Sequence, residues 1–109
     1  MDTIKFTDWQ KLDLRVGEVL EVNDHPNADK LYLIKIDVGD KKINLVAGLK
    51  NYYDKKKLVG KKVIIFTNLE QKILRGIKSE GMILAADDEN GNVVLLTIDR
   101  DIKNGSKIR

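Results

Sequence analysis

A chain of 109 residues, 42% hydrophobic and 34% charged, has the size and balance of one soluble globular domain, long enough to close a core without staples. The absence of cysteine excludes disulfides and thiolate metal sites, and no stretch approaches the roughly 18–20 apolar residues of a membrane-spanning helix. The net charge of +3 is small but unevenly spread: residues 41–78 hold eleven Lys or Arg against Asp54 and Glu70, a local +9, which leaves −6 for the remainder.

The opening stretch MDTIKFTDWQKLD carries acidic residues and no apolar run, unlike a secretory leader, so a cytoplasmic setting is expected and the glycosylation match at Asn104-Gly105-Ser106 is read as chance. Thr7 and Gln10 have capping-box spacing, which predicts a short helix around residues 8–12 with Thr7 as its N-cap. Period-2 alternation then takes over. Leu14, Val16, Leu20 and Val22 form one apolar face of a first strand, interrupted by Glu18, and Gly17 suits a bulge or sharp coil that lets one strand serve two sheets. His25-Pro26 and the polar Asn27, Asp29 and Lys30 make a turn into a second strand, whose inner face is Tyr32, Ile34, Ile36 and Val38. Gly39-Asp40 turns the chain into a third strand carrying Ile43, Leu45 and Ala47, and Asn51–Leu58 has room for one or two helical turns. Val63–Phe66, Met82–Ala86 and Val93–Ile98 are denser apolar runs expected to be buried strands. Asn90-Gly91 signals a two-residue type I′ hairpin between the last two.

These elements outline an all-β oligonucleotide-binding (OB) fold: a five-stranded Greek-key barrel with a short helix between strands 3 and 4 and added terminal elements. A small β-sandwich or SH3-like barrel would give similar periodicity.

Catalytic constellations are missing. His25 is the single histidine, no carboxylate cluster stands out as a metal site, and neither Ser79 nor Ser106 lies in a nucleophile-elbow sequence. Gly76 and Gly81 lack the spacing of a phosphate-cradling loop, and Asp87-Asp88 falls at an expected hairpin tip. No enzyme activity, metal or cofactor is implied, and His25 is expected to shape its turn. Nucleic-acid binding asks less: cations for phosphates, and flat or hydrogen-bonding groups for bases. Lys72, Arg75 and Lys78 are spaced three apart around Ile73, Leu74 and Ile77, so an apolar side against the barrel would project the cations outward. Asn68 and Ser79 add neutral donors near the ends of this stretch. Tyr52 and Tyr53 could stack on bases, although packing is the commoner use of such a pair. The charge pattern alone also fits a Lys-rich solvated surface.

Three motifs carry a family resemblance: DLRVG, HPNADKL and NLEQKILRGIKSEGMILAA, in this order and spacing. With the lead-in IKFTDWQKLDLRVG and the ending NGSKIR, the sequence resembles the tRNA-binding domain family over nearly its whole length. That family includes C-terminal appendages or β-subunits of methionyl-tRNA synthetases and free-standing tRNA-binding proteins. The resemblance implies an OB barrel that binds tRNA by shape, with RNA-facing positions at Asn27, Lys30, Asn68, Lys72, Arg75, Ser79 and Met82, to which the cation spacing adds Lys78. Arg75 and Ser79 stand in the best-matched motif, whereas Met82 opens a buried-looking strand. A chaperone-like branch shares the barrel and the Ser-Glu pair but usually lacks the GMILAA continuation, which places this sequence nearer the synthetase type.

Free-standing members of this length are similar to one another in being homodimers. Ile4, Phe6, Trp9 and Leu12 at one end and Ile102 and Ile108 at the other are more apolar than the termini of a monomer need, which suggests a two-fold interface; the alternative is that they plug the open ends of the barrel. Residues 1–109 are thus expected to be one tRNA-binding domain, with 1–12 and 99–109 as terminal elements at a dimer interface. The expected function is non-catalytic tRNA binding, either free-standing or as a dimerising subunit of methionyl-tRNA synthetase. A chaperone-like or assembly role on an apolar protein-binding surface is the alternative. A single-strand-binding OB protein is disfavoured by the few aromatics available for stacking.

Overall fold

The computed structural model describes residues 1–109. In chain order the elements are α1 (Phe6–Trp9), β1 (Leu14–Asp24), β2 (Tyr32–Asp37), β3 (Lys42–Ala47), α2 (Lys55–Leu58), β4 (Lys62–Phe66), β5 (Lys72–Leu74), β6 (Ile77–Ser79), β7 (Met82–Ile83), β8 (Ala85–Asp87) and β9 (Val93–Leu95). Five of them form one antiparallel sheet in the order β3-β2-β1-β4-β7, while β5-β6 and β8-β9 are separate hairpins. The sheet curls until its edges meet. Glu80 N–H donates to the Asn44 carbonyl at 2.9 Å, and the Ser79 hydroxyl accepts the Val46 N–H at 3.0 Å. This is the nearly closed five-stranded barrel expected of the OB fold, with α2 between β3 and β4.

Alternation produces these strands because one face of each must leave water. Ile34, Ile36, Leu45, Leu58, Val63 and Ile65 are fully buried in a single cluster, each worth about 1.5–3 kcal/mol relative to exposure. Leu58 is the reason α2 exists where it does: its one turn drops an apolar side chain into the barrel while Lys55, Lys56 and Lys57 stay in water.

β1 departs from simple alternation. It pairs with β4 over residues 14–18 and with β2 over residues 18–24, and its register slips between Val19 and Glu21. Leu14 and Val16 pack with Ile64 on one side of the sheet and Val19 with the barrel cluster on the other; the slip then brings Val22 to the side of Val19, and Leu20, which alternation had put inside, is only half-buried. Gly17 stands at the crossing between the two pairings. A Cβ there would lie 2.6 Å from Ile36 Cγ2 and 3.0 Å from Ile65 Cγ1. Gly17→Ala is therefore expected to destabilise the fold by about 1–3 kcal/mol through overpacking, read as a lower urea midpoint with an unchanged slope.

The C-terminal segment takes the edge of β1 that β2 leaves free. Gly105 N–H donates to Val16 O (2.7 Å), Val16 N–H to Ser106 O (2.9 Å) and Ile108 N–H to Leu14 O (2.8 Å). Beneath this pairing a second cluster of Leu14, Val16 and Ile64 collects Leu12, Phe66, Leu84, Ile98 and Ile108. Asp13 ties the segment down: its carboxylate accepts Arg15 Nε at 3.0 Å and Lys107 Nζ at 3.4 Å. The Arg15 hydrogen bond, foremost, holds the Asp13 carboxyl below the ordinary range. A carboxyl depressed in the folded state stabilises above its unfolded pKa and loses that contribution as pH falls through the folded value. Asp13→Asn should thus be less stable than wild type at pH 7, with the gap closing below about pH 4, as checked by thermal melts across pH.

Two local expectations are corrected. The first helix spans Phe6–Trp9 with Lys5 as N-cap and no side-chain cap, so Thr7 lies inside it; Asp8 and Trp9 N–H groups both donate to the Lys5 carbonyl. The β8–β9 hairpin forms as expected, but Asn90 does not have the positive φ that a type I′ turn requires; only Gly91 does (83°). The Asp88 carboxylate captures the Asn90 and Asn92 N–H groups at 2.8 and 2.9 Å. That stabilises a three-residue loop ending in a left-handed Gly.

Candidate nucleic-acid interface

The residues between Asn68 and Met82 form a protruding hairpin. β5 pairs with β6 through Lys72↔Ser79, Ile73↔Lys78 and Leu74↔Ile77, which leaves Arg75-Gly76 as a two-residue loop. Both loop residues have positive φ, 52° and 89°, as a type I′ turn demands. Gly76 adopts this without penalty, but Arg75 is the single non-glycine residue of the chain held there. Its side chain is fastened as well: Nη2 and Nε donate to the Asn27 carbonyl at 3.2 and 3.4 Å. Asn27 and Arg75, drawn from different motifs, are thereby brought together.

Strand geometry splits the cations that spacing had grouped. Directly paired residues share a face and neighbours alternate. Lys78 therefore shares a face with Ile73, while Lys72 shares the other with Ser79, Leu74 and Ile77. Ile73 is 70% exposed, contrary to the expectation that it would lie on the barrel. Lys72 instead lines a cleft of about 370 Å³ with Leu69, Leu74, Met82, Ile83 and Leu95. Met82, expected towards the core, is 44% exposed at that rim.

Ser79 differs most from the sequence expectation of an RNA-facing donor. It is buried, accepts the Val46 N–H and donates to the Gly81 carbonyl at 3.0 Å. Its hydroxyl is engaged within the fold, where it closes the barrel and anchors the hairpin. Asn68 is exposed but committed: Oδ1 accepts Asp13 N–H and Nδ2 donates to Lys11 O, both at 2.7 Å, so it fastens the N-terminal segment to the loop before the hairpin. Lys30 is exposed on the 25–31 loop, which the His25 N–H closes by donating to Leu31 O at 3.1 Å.

Lys72, Arg75 and Lys78 form no ion pair, whereas Lys50 and Lys55 are held by Asp24 and Lys62 by Asp101. The hairpin thus keeps its positive charge available to an anion, while part of the +9 segment is already neutralised. Tyr53 is not available for stacking: its hydroxyl accepts Leu95 N–H at 3.1 Å and its carbonyl accepts the Tyr32 hydroxyl at 2.8 Å. Tyr52 is exposed.

One contact lies outside the sequence reading. His25 shapes its turn, as expected, but its ring also reaches the hairpin. Nδ1 accepts the Asn27 N–H at 3.0 Å, and Nε2 faces the Leu74 carbonyl at 3.0 Å. No local signal links residues so far apart in the chain.

The apolar termini divide. Leu12 and Ile108 pack on the second cluster of their own chain, as plugs would. Ile4, Phe6, Trp9 and Ile102 remain exposed, and Ile4, Phe6, Trp9 and Leu12 line a common depression. No helix of the chain is long and apolar enough to cross a membrane.

A family model described as "Putative tRNA binding domain" matches residues 14–107. The methionine–tRNA ligase of Pyrococcus horikoshii is 57% identical over 109 residues, covering 100% of this chain and 15% of that protein, so the chain spans about a seventh of that relative's length. Among solved structures, the MetRS-related protein from Pyrococcus horikoshii aligns over 100% of both chains with a TM-score of 0.93 and 27% identity. The CsaA chaperone protein from Picrophilus torridus aligns with a TM-score of 0.89 and 37% identity, covering 98% of this chain and 100% of that one.

Proposed function

The chain belongs to the tRNA-binding domain family, and from that premise we propose that it binds folded tRNA without catalysing a reaction, capturing the phosphate backbone on the β5–β6 hairpin. The observation that carries this reading is the hairpin tip. Arg75 is held in an unfavourable backbone conformation with its guanidinium fastened beside Asn27, and Lys72 and Lys78 flank it free of ion pairs. Backbone strain of this kind persists where the surrounding structure enforces it, commonly at binding sites. Asn27, Lys30, Lys72, Arg75, Lys78 and Met82 form the RNA-facing set, with Asn68 and Ser79 supporting it from behind. Aminoacylation belongs to another polypeptide or domain, in line with the small share of the methionine–tRNA ligase that the chain covers. A cytoplasmic setting follows from a tRNA partner.

Whole tRNA should bind at least about tenfold more tightly than an unstructured oligonucleotide of equal length. Its log affinity should fall against log salt by roughly 0.7–0.9 per phosphate neutralised. Equal affinity for the two nucleic acids would refute the reading.

A second copy of the chain fits the exposed apolar end. Ile4, Phe6 and Trp9, with Ile102, present a surface that a two-fold interface would bury. Phe6→Asp is expected to convert a dimer to a monomer in sedimentation at micromolar concentration without lowering the melting temperature of the barrel; a wild-type monomer would remove this interface. The match to a solved chaperone protein, together with the apolar cleft beside Met82, favours protein binding as the second reading. Suppression of aggregation by a chain that shows no preference for tRNA would decide for it.

A further inference from the structure

We propose that His25 is the positioning residue of the RNA-binding site: its neutral ring couples the 25–31 loop to the β5–β6 hairpin and thereby sets where Arg75 points. The inference rests on the tRNA-binding reading above and adds a residue that touches no RNA.

His25 is 5% exposed, and both ring nitrogens are used. The Leu74 carbonyl can only accept, so Nε2 must carry the proton; the Asn27 N–H can only donate, so Nδ1 must be bare. The contacts therefore admit one protonation state and one tautomer. They also close a ring of interactions. Nε2–H holds the carbonyl of Leu74, the residue preceding Arg75. The Arg75 guanidinium holds the Asn27 carbonyl, and the Asn27 N–H returns to His25. Arg75 is thus located from both ends, by its backbone through Leu74 and by its side chain through Asn27. A long cation bound by a preorganised scaffold loses less conformational freedom on meeting a phosphate. An imidazolium carries two donors and cannot accept the Asn27 N–H, so protonation would open the ring. The ring's two hydrogen-bond partners are uncharged peptide groups. The charged residues nearest in the chain are Asp24, Asp29 and Lys30 on its own strand and loop, and Arg75 across from it.

The test is a double-mutant cycle on tRNA binding with His25→Asn and Arg75→Ala. An asparagine at position 25 still offers an oxygen to the Asn27 N–H but is too short to reach Leu74. His25→Asn is expected to weaken tRNA binding several-fold, Arg75→Ala about tenfold, and the double variant no more than Arg75→Ala alone, because both act through one contact. Multiplying losses, or an unchanged affinity in a folded His25→Asn, would overturn the proposal. A second measurement needs no substitution at His25. In 15N spectra of the free wild-type protein the ring should show a protonated Nε2 and a bare Nδ1, the single tautomer that the two contacts admit. The opposite tautomer would overturn the proposal equally. Failure of the tRNA reading is distinct, since wild type itself would then show no preference for tRNA, and the positioning role would fall with it.

Discussion

Ser79→Ala is expected to lower stability by about 2 kcal/mol, a fall in melting temperature on the order of 10 °C for a domain of this size. The Ser79 hydroxyl is the partner of the buried Val46 N–H and also donates to Gly81 O. Deleting it strands a donor at the seam where β3 meets the β6–β7 segment, which Glu80 N–H to Asn44 O also bridges. An unsatisfied buried donor costs about 1–3 kcal/mol. Hydrogen exchange should localise the effect, with the Val46 amide losing protection before the amides of β1 and β2. The hairpin is anchored through the same residue, so tRNA binding should weaken too, but only in proportion to its loosening. A variant that melts like wild type would show that the barrel closes without this hydroxyl.

Arg75→Gly separates stability from binding in the opposite sense. Glycine adopts φ near 52° freely, whereas a residue bearing a Cβ is strained there by roughly 1 kcal/mol. Removing the side chain gives up only an exposed contact to the Asn27 carbonyl. The melting temperature should hold or rise, while tRNA affinity falls about tenfold or more, the usual range for losing one strong cationic contact to a nucleic acid. The salt dependence should become shallower by close to one phosphate. Unchanged affinity in the glycine variant would remove Arg75 from the interface. A destabilised protein would mean that the Asn27 contact outweighs the strain.

The two variants mark different kinds of legibility. The strands were legible because each needs one dry face, and period-2 alternation in Tyr32–Val38 or Ile43–Ala47 records that need locally. The helix between β3 and β4, the crossing at Gly17 and the β8–β9 hairpin were legible for similar reasons: a lysine run ending in Leu58, a glycine inside a strand, an Asn-Gly pair. The stretch Lys72–Ser79 was misjudged because its three-residue spacing suggested one outward row of cations. A hairpin with a turn at Arg75-Gly76 obeys period 2, which sends Lys72 and Lys78 to opposite faces. The phase of β1 was missed because a register slip leaves no mark in composition.

By itself the sequence determined the first four strands, the barrel class, the concentration of positive charge between residues 41 and 78, and the family, since each is written in neighbouring residues or in motif order. Only the tertiary structure decided the rest. Ser79 turned inward to close the barrel, Leu12 and Ile108 packed on their own chain while Ile4 and Phe6 did not, and His25 met Leu74. Each of these depends on a hydrogen bond or contact between residues far apart along the chain, where the partner of a polar group is set by how the sheet curls and not by any residue beside it.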